Sequence, residues 1–186
     1  MKEYKRYAYG MVVGRFQPFH HGHECIIARA LEECHYVVVL VGSAQESRLP
    51  HNPLTFEERE QMIKDCFYNE VSRLIIVPLE DRTEVSNDSS WGQYMMNVIK
   101  RECNVKIDAV FEGREKVRKD WYDDIEDIDI IQVSRKKENY SATLVRQAIL
   151  EGDEYLYRYW CANHNEHHYS DLRRIMLDVT KDTSSN

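Results

Sequence analysis

Gly14-Arg15-Phe16-Gln17-Pro18-Phe19-His20-His21-Gly22-His23 joins two segments whose hydrophobic periods differ. Ahead of it, Tyr7 to Val13 is an apolar run short enough for a buried strand. Behind it, Glu24 to Glu33 carries Cys25, Ile26, Ile27, Ala30 and Leu31 at helical spacing. The stretch is therefore expected to turn the chain from strand into helix. Such a turn aims helix-start N–H groups and the positive end of the helix dipole at an anion. Arg15, His20 and His23 add side-chain donors there, and Gly22 lacks the Cβ that would hold a ligand off the backbone. Together these residue types predict a phosphate site.

A second segment of the same chemistry lies far away in sequence. Ser141-Ala142-Thr143-Leu144-Val145-Arg146 opens a helix that Gly152 closes, with Ser141 as a natural cap. Hydroxyls, helix-start N–H groups and an arginine one turn in make another anion cradle. Read alone, the segment is a simple capped helix. Both segments sit at expected strand ends, so both are placed at the ligand edge of a sheet, facing one pocket.

The first stretch resembles the H-x-G-H motif of the nucleotidyltransferase superfamily, here His20-His21-Gly22-His23. Its longer form, Gly-Arg-Phe-Gln-Pro-Phe-His-x-Gly-His, is similar to that of the nicotinamide-nucleotide adenylyltransferases, both the archaeal type and the type fused to Nudix domains. The second stretch resembles the superfamily's Ser-x-Thr-x-x-Arg signature. The likeness extends through Gly42-Ser43-Ala44-Gln45 and through Asn52-Pro53-Leu54-Thr55-Phe56-Glu57-Glu58-Arg59. Trp91, followed by Tyr94, looks like the family's nicotinamide-stacking position. A pyridinium ring is flat and cationic, which suits an indole face. Two departures stand out. Gly113-Arg114 replaces the common Gly-Asn, and the basic residue expected just before Asn-Pro is His51, with Arg48 three residues earlier as the other candidate. The resemblance covers Val12 to Gly152 and is weakest after residue 155.

What the resemblance implies is adenylyl transfer from ATP to nicotinamide mononucleotide, giving NAD and pyrophosphate by direct in-line attack. His20, His23, Arg15 and Arg146 are the implied catalytic residues. Gly14, Phe16, Gly22, Gly113, Ser141 and Thr143 would surround ATP and its phosphates. Gln17, Ser43, Gln45, Arg48 and Trp91 would meet the mononucleotide. Mg²⁺ would travel with ATP on phosphates and water, with no protein metal ligand assigned. Two rivals are kept: adenylyl or cytidylyl transfer to another phosphate acceptor such as phosphopantetheine or FMN, and a non-catalytic nucleotide sensor on the same fold. Phe16, Gln17 and Trp91 favour nicotinamide, and the retained arginines and histidines disfavour a sensor.

Strands expected at residues 7–13, 36–42, 73–78, 107–112 and 127–133 alternate with helices. That alternation predicts an α/β fold with a parallel sheet covered on both faces. The resemblance implies a Rossmann-like, doubly wound five-stranded sheet of order 3-2-1-4-5. Tyr36 to Gly42, a continuous β-branched run, is the expected central strand. Thr55 and Glu58 have capping-box spacing ahead of Met62, Ile63, Cys66 and Phe67. Arg59 reads either as part of the matched pattern or as a surface, ion-pairing residue of that helix. Leu79 to Ser90 is a long acidic connection (Glu80, Asp81, Glu84, Asp88) leading to a helix capped by Ser89 or Ser90. Lys116, Arg118 and Lys119 read as a solvated helix face.

The 186 residues form one domain: a core over 1–153, a helical appendage over 154–179 and a disordered tail over 180–186. A net charge of −7 argues against general nucleic-acid binding and requires a local cluster of positive groups for phosphate. Five scattered cysteines, with Cys25 and Cys66 expected on apolar helix faces, suit a reducing cytoplasm. No run reaches 18 apolar residues, and Met1 to Arg6 lacks the apolar segment of a signal peptide, so no membrane partner is expected. A homo-oligomer is left open. His164, His167 and His168 do not follow the H-E-x-x-H zinc order and read as solvated helix surface.

Overall fold

A computed structural model describes residues 4–82, 90–113, 121–134 and 141–184, with side chains to Lys181. The expectations for Glu84, Asp88 and Ser89, for Arg114, Lys116, Arg118 and Lys119, and for residues 185–186 lie outside these. The β-branched run forms β2 (Cys34–Val41), between β1 (Tyr7–Gly14) and β3 (Leu74–Pro78). β4 (Ala109–Glu112) and β5 (Asp129–Gln132) complete a five-stranded, all-parallel sheet in the order β3-β2-β1-β4-β5. The order reverses direction at β1, so a crevice opens between the carboxyl ends of β1 and β4.

Side chains alternate across the sheet with the strand period of two. Val12, Val37, Val39, Val41, Ala109 and Phe111 face one side. There they meet α1 (His21–Glu33), α2 (Phe56–Cys66) and α4 (Ala142–Glu151) through Ile27, Ile63 and Ile149. Met11, Val38, Leu40 and Val110 face the other side and pack on Met95, Val98 and Ile99 of α3 (Trp91–Glu102). Burial on both faces explains why β2 is apolar along most of its length, with five consecutive buried residues from Val37 to Val41.

Helix ends follow the cap chemistry in the sequence. Thr55 and Glu58 form the reciprocal capping box of α2, Ser90 caps α3 and Ser141 caps α4. Gly152 ends α4 in the left-handed region at φ 80°. All five cysteines are free thiols; Cys34, Cys66 and Cys161 are buried, whereas Cys25 is half-buried. Burial pushes the Cys34 and Cys161 thiols up to about 12, which leaves them inert.

After Gly152 come α5 (Glu154–Trp160), a short 3-10 turn (Glu166–His168) and α6 (Tyr169–Ser184). Tyr157, Cys161, Ala162, Leu172 and Met176 belong to the same core cluster as β1 and α1. The tail expected to be disordered from residue 180 is instead helical through Ser184. Its composition misleads because Val179 is buried and Thr180 Oγ1 donates to the Leu177 carbonyl at 2.9 Å, so the helix is already anchored where the tail begins. No helix among the described residues is long and apolar enough to cross a membrane.

Gly92, in the first turn of α3, sits against another segment of backbone. A Cβ there would lie 1.9 Å from the Trp121 carbonyl oxygen. Gly→Ala inside an ordinary helix stabilises by roughly 0.5–1 kcal/mol. Gly92→Ala should do the opposite, destabilising by about 1–3 kcal/mol as overpacking does. Chemical denaturation of the two proteins reads the sign directly, and a stabilised variant would mean that α3 and the Trp121 segment do not meet.

Candidate active site

The carboxyl ends of β1, β2 and β4 and the first turns of α1 and α4 enclose a cleft of about 730 Å³. The grooves beside α6 are smaller, about 180–390 Å³. Gly14, Arg15, Phe16, Gln17, His23, Ser43, Trp91, Gly113 and Arg146 all line the cleft. The two segments recognised as anion cradles, some 120 residues apart in sequence, therefore open onto one cavity.

His20 and His23 both stand at the start of α1, but their rings have different surroundings. His20 is the cap of α1: its Nδ1 accepts from the Gly22 backbone N–H at 3.1 Å, and the ring is 2% exposed. Accepting at Nδ1 puts the proton of the neutral ring on Nε2. The cap also occupies the Gly22 N–H, and the His23 N–H bonds the His20 carbonyl at 2.8 Å, so neither is left to an anion. His20 is thus not among the cleft-lining residues, while His23 is. The His23 ring stacks on His20 at 3.8 Å between centroids and meets Phe16 edge-on at 4.9 Å. Fixed rings on two sides set its orientation.

Arg146 reaches from the first turn of α4 to the Gln17 carbonyl, donating from Nη1 at 2.6 Å. Nη2 donates to Thr143 Oγ1 at 3.3 Å, and Ser141 Oγ accepts from the Leu144 N–H as the helix cap. Ser141 and Thr143 hence support the helix start and the arginine without lining the cleft. Burial first, and the nearby positive charge of Arg15 second, lower the Arg146 pKa. Among the described residues neither Arg15 nor Arg146 forms an ion pair. Two guanidinium groups facing one cavity without carboxylate partners favour an anion between them.

Gln17 lines the cleft, but its side chain is committed elsewhere. Its side-chain amide donates to the Leu54 carbonyl at 2.8 Å and accepts from the Leu54 N–H at 2.9 Å, and the residue is 2% exposed. An amide satisfied at both ends by one backbone residue ties the β1 turn to the approach of α2. It does not present itself to a ligand.

Arg59 is the residue whose role the sequence left open, and it is wholly buried. Nε donates to the Thr55 carbonyl at 3.0 Å, and Nη1 donates to the Arg15 and Gly42 carbonyls at 2.9 and 2.7 Å. Nη2 adds the Ser43 carbonyl at 3.3 Å. Burial depresses its pKa to about 10, so it stays cationic at neutral pH. The two loops it joins contain Phe16 and Ser43, both non-glycine residues at positive φ, 54° and 49°. Such conformations persist only where surrounding bonds hold them.

Arg48 and His51, the two basic candidates for a ligand contact, both point elsewhere. Arg48 makes a two-pronged ion pair with Glu58 at 2.8 and 2.6 Å, and it lines a groove beside α6. Glu58 sits at the outer edge of α2 as its capping residue, and it draws Arg48 to that side. His51 Nε2 lies 3.6 Å from the Glu46 carboxylate. Gln45 acts one step removed, because its amide bonds the Asp81 N–H and carboxylate, and Asp81 lines the cleft.

A family model described as cytidylyltransferase-like matches residues 11–148, which takes in the whole cleft. The chain belongs to that family. It is 30% identical over 149 residues to a nicotinamide-nucleotide adenylyltransferase of Saccharolobus solfataricus, covering 78% of this chain and 81% of the relative. It is 31% identical over 149 residues to a nicotinamide/nicotinic acid mononucleotide adenylyltransferase of Acinetobacter baylyi, covering 79% and 78%. In fold it resembles a bifunctional NMN adenylyltransferase/ADP ribose pyrophosphatase of Francisella tularensis, with a TM-score of 0.78 at 23% identity. The match spans 96% of this chain and 54% of that one. Another structure of the Francisella protein, complexed with AMP and a manganese ion, aligns with a TM-score of 0.69 at 24% identity.

Within this family member, three cleft residues had no sequence signal of their own. Trp121 meets Trp91 edge-on at 5.7 Å between ring centroids. Glu112 ends β4 buried, accepting from the Tyr122 hydroxyl at 3.2 Å. Asp81 was one acidic residue among four in a long connection, and only its pairing with Gln45 singles it out.

Arg59→Met should keep volume and remove the shared donor, leaving the carbonyls of Arg15, Gly42 and Ser43 short of a partner. At about 1–3 kcal/mol for each buried polar group left unmade, the loss is on the order of 3 kcal/mol or more. Melting should fall by roughly 6–12 °C, at about 2–4 °C per kcal/mol for a chain of this size. Arg59→Lys should also fail to restore the native melt, because a single ammonium has three N–H donors at one point and cannot reach all four carbonyls that the planar guanidinium spans. Native melting of both variants would show that the loops hold themselves.

Proposed function

We propose that this protein is a nicotinamide-nucleotide adenylyltransferase that joins ATP and nicotinamide mononucleotide into NAD with release of pyrophosphate. The observation that carries the reading is the convergence of Arg15, His23 and Arg146 on one cleft, with both guanidinium groups free of carboxylate partners. The family relatives of similar length support it.

The mononucleotide phosphate attacks the α-phosphorus of ATP in line, its oxygen already anionic, so no nucleophilic side chain is required. The reaction needs two anions held close together and charge stabilised on the departing pyrophosphate. Arg15 and Arg146, drawn toward the same space, offset the repulsion between the phosphates. His23, its ring oriented by His20 and Phe16, donates a proton-bearing nitrogen to the phosphate oxygens. His20 acts through that ring and through the α1 cap, so it is a positioning residue. Mg²⁺ would come with ATP, held mainly by phosphate and water, and would supply charge neutralisation on the phosphates. The Asp81 and Glu112 carboxylates on the cleft wall suit a contact to its water shell.

The acceptor base would lie against Trp91, whose indole N–H is buried and has no hydrogen-bond partner among the described residues. One side of the ring packs with the α3 core cluster, and the residue also lines the cleft. Arg48 has no part in acceptor binding in this reading.

Incubating the protein with ATP, Mg²⁺ and each of nicotinamide mononucleotide, FMN and phosphopantetheine, and measuring pyrophosphate, tests the acceptor. Release with nicotinamide mononucleotide alone is expected; release only with another acceptor would replace the assignment, and none with any would favour a sensor.

His23→Ala and Arg146→Ala should each lower kcat/KM by about 10²–10³, the usual loss for one preorganised donor at developing charge. Steady-state kinetics beside melting curves separate this from unfolding; near-native turnover would remove that residue from the mechanism.

Trp91→Ala should weaken mononucleotide binding roughly 5–30-fold, a stacking and cation–π contact of about 1–2 kcal/mol. ATP affinity should barely move, and Arg48→Ala should leave both affinities unchanged. Separate titrations of the two substrates decide it, since equal losses for both would make Trp91 a packing residue only.

A further inference from the structure

A second cluster of ligand-type side chains lies outside the cleft, where the C-terminal segment crosses the end of α2. Asp65 stands in the last turn of α2, and His167 and His168 lie on the 3-10 turn before α6. Asp65 Oδ2 is 2.8 Å from His168 Nε2 and 3.4 Å from His167 Nε2. One ligand atom from each of the three residues lies within 4.8 Å of the others. The two imidazole rings are 3.9 Å apart at their centroids.

We propose that Asp65, His167 and His168 form a binding site for a divalent transition-metal ion, Zn²⁺ by preference, that fastens the C-terminal segment to α2. Zinc bonds of about 2.0–2.2 Å in a tetrahedron put neighbouring ligand atoms on the order of 3.3 Å apart. The 3.4 Å contact of His167 with Asp65 Oδ2 is close to that value, and the 2.8 Å hydrogen bond of His168 would open by about 0.5 Å to admit the ion, with His167 on the exposed side. Two imidazoles with one carboxylate favour zinc over magnesium or calcium, which prefer all-oxygen sites. Water would take the fourth position.

The site is supported beyond its three ligands. Gln61 Nε2 donates to Asp65 Oδ1 at 2.7 Å, orienting the carboxylate so that Oδ2 faces the rings. The turn itself is pinned: Asn165 Nδ2 donates to the Met62 carbonyl at 3.0 Å, and Tyr157 donates to the Asn165 carbonyl at 2.7 Å. Little ordering is left for the metal to impose. An ion pair alone would need only one histidine on Asp65, whereas two ring nitrogens converge on a single oxygen. The sequence order hides the site because its third ligand comes from a helix about 100 residues earlier.

The test uses the whole chain after chelator treatment, titrated with ZnCl₂ by calorimetry and with CoCl₂ by visible absorption. One equivalent of Zn²⁺ is expected to bind with a micromolar or lower dissociation constant, and Co²⁺ to show ligand-field bands that Zn²⁺ abolishes. Zinc at a hundredfold excess over its dissociation constant should raise Tm by about 5–10 °C. His167→Ala, at an exposed position, should fold normally and lose the bands and the Tm rise. Gln61→Ala should weaken binding by about 10–100-fold, as loss of a supporting hydrogen bond does. No binding by the native chain overturns the site. Equally tight binding by His167→Ala, as metal held at His20 and His23 would give, overturns it too.

Discussion

Arg59 brings a full positive charge into the interior, where Glu57, Asp81 and Glu58 act on it only from beyond ion-pair contact and four backbone carbonyls bond it directly. Three of them belong to the loops that leave β1 and β2 on the ligand side of the sheet. Carbonyl oxygens in a low-dielectric surrounding are strong partners for a guanidinium, and each is expensive to leave unmade. The charge is thereby held, and so are the loops. Phe16 and Ser43 can stay at positive φ because the peptides beside them are fastened to one rigid fork. The shape of the cleft floor depends on that fastening.

The cleft inherits its electrostatics from what is left over. Arg59 is bonded to carbonyls inside the fold and Arg48 to Glu58, so neither guanidinium lines the cavity. Arg15 and Arg146 do, and burial, then the charge of Arg15, lowers the Arg146 pKa. In a chain of net charge −7 these two guanidinium groups give phosphates a local positive contact, although Asp81 and Glu112 also line the cleft. His23 is directed into this space by ring packing against His20 and Phe16, so its orientation is set before substrate binds.

The C-terminal segment also bears on the site, through α1. His20 bridges to Cys161, and the Asn163 backbone N–H donates to Glu24 at 3.2 Å. The Glu24 carboxylate also lies 2.8 Å from His21 Nδ1, within hydrogen-bond distance. The residues after Gly152 therefore brace the first turn of the helix that carries the histidines. A metal clasp at Asp65 would reinforce the same bracing from the α2 side.

Strand and helix order, the helix caps and the two phosphate-type segments were legible in the sequence, because they depend on residues near one another in the chain. The continuous apolar run of β2 implies burial on both faces, and Ser or Thr before a helix implies a cap, whatever lies elsewhere. Charged and amide side chains were not legible in the same way. Arg59 and Arg48 are both arginines beside one helix start, yet one is the largest fully buried side chain among the described residues and the other lies on an outer groove. Gln17 is expected to contact a ligand, and its amide bonds Leu54; His20 is expected to donate to phosphate, and its Nδ1 accepts from its own helix start. A long polar side chain bonds whatever partner comes within reach, and those partners come from distant segments. The sequence by itself determined which residues build the sheet and which could meet a phosphate. Only the tertiary structure decided which of them are left unsatisfied to do so.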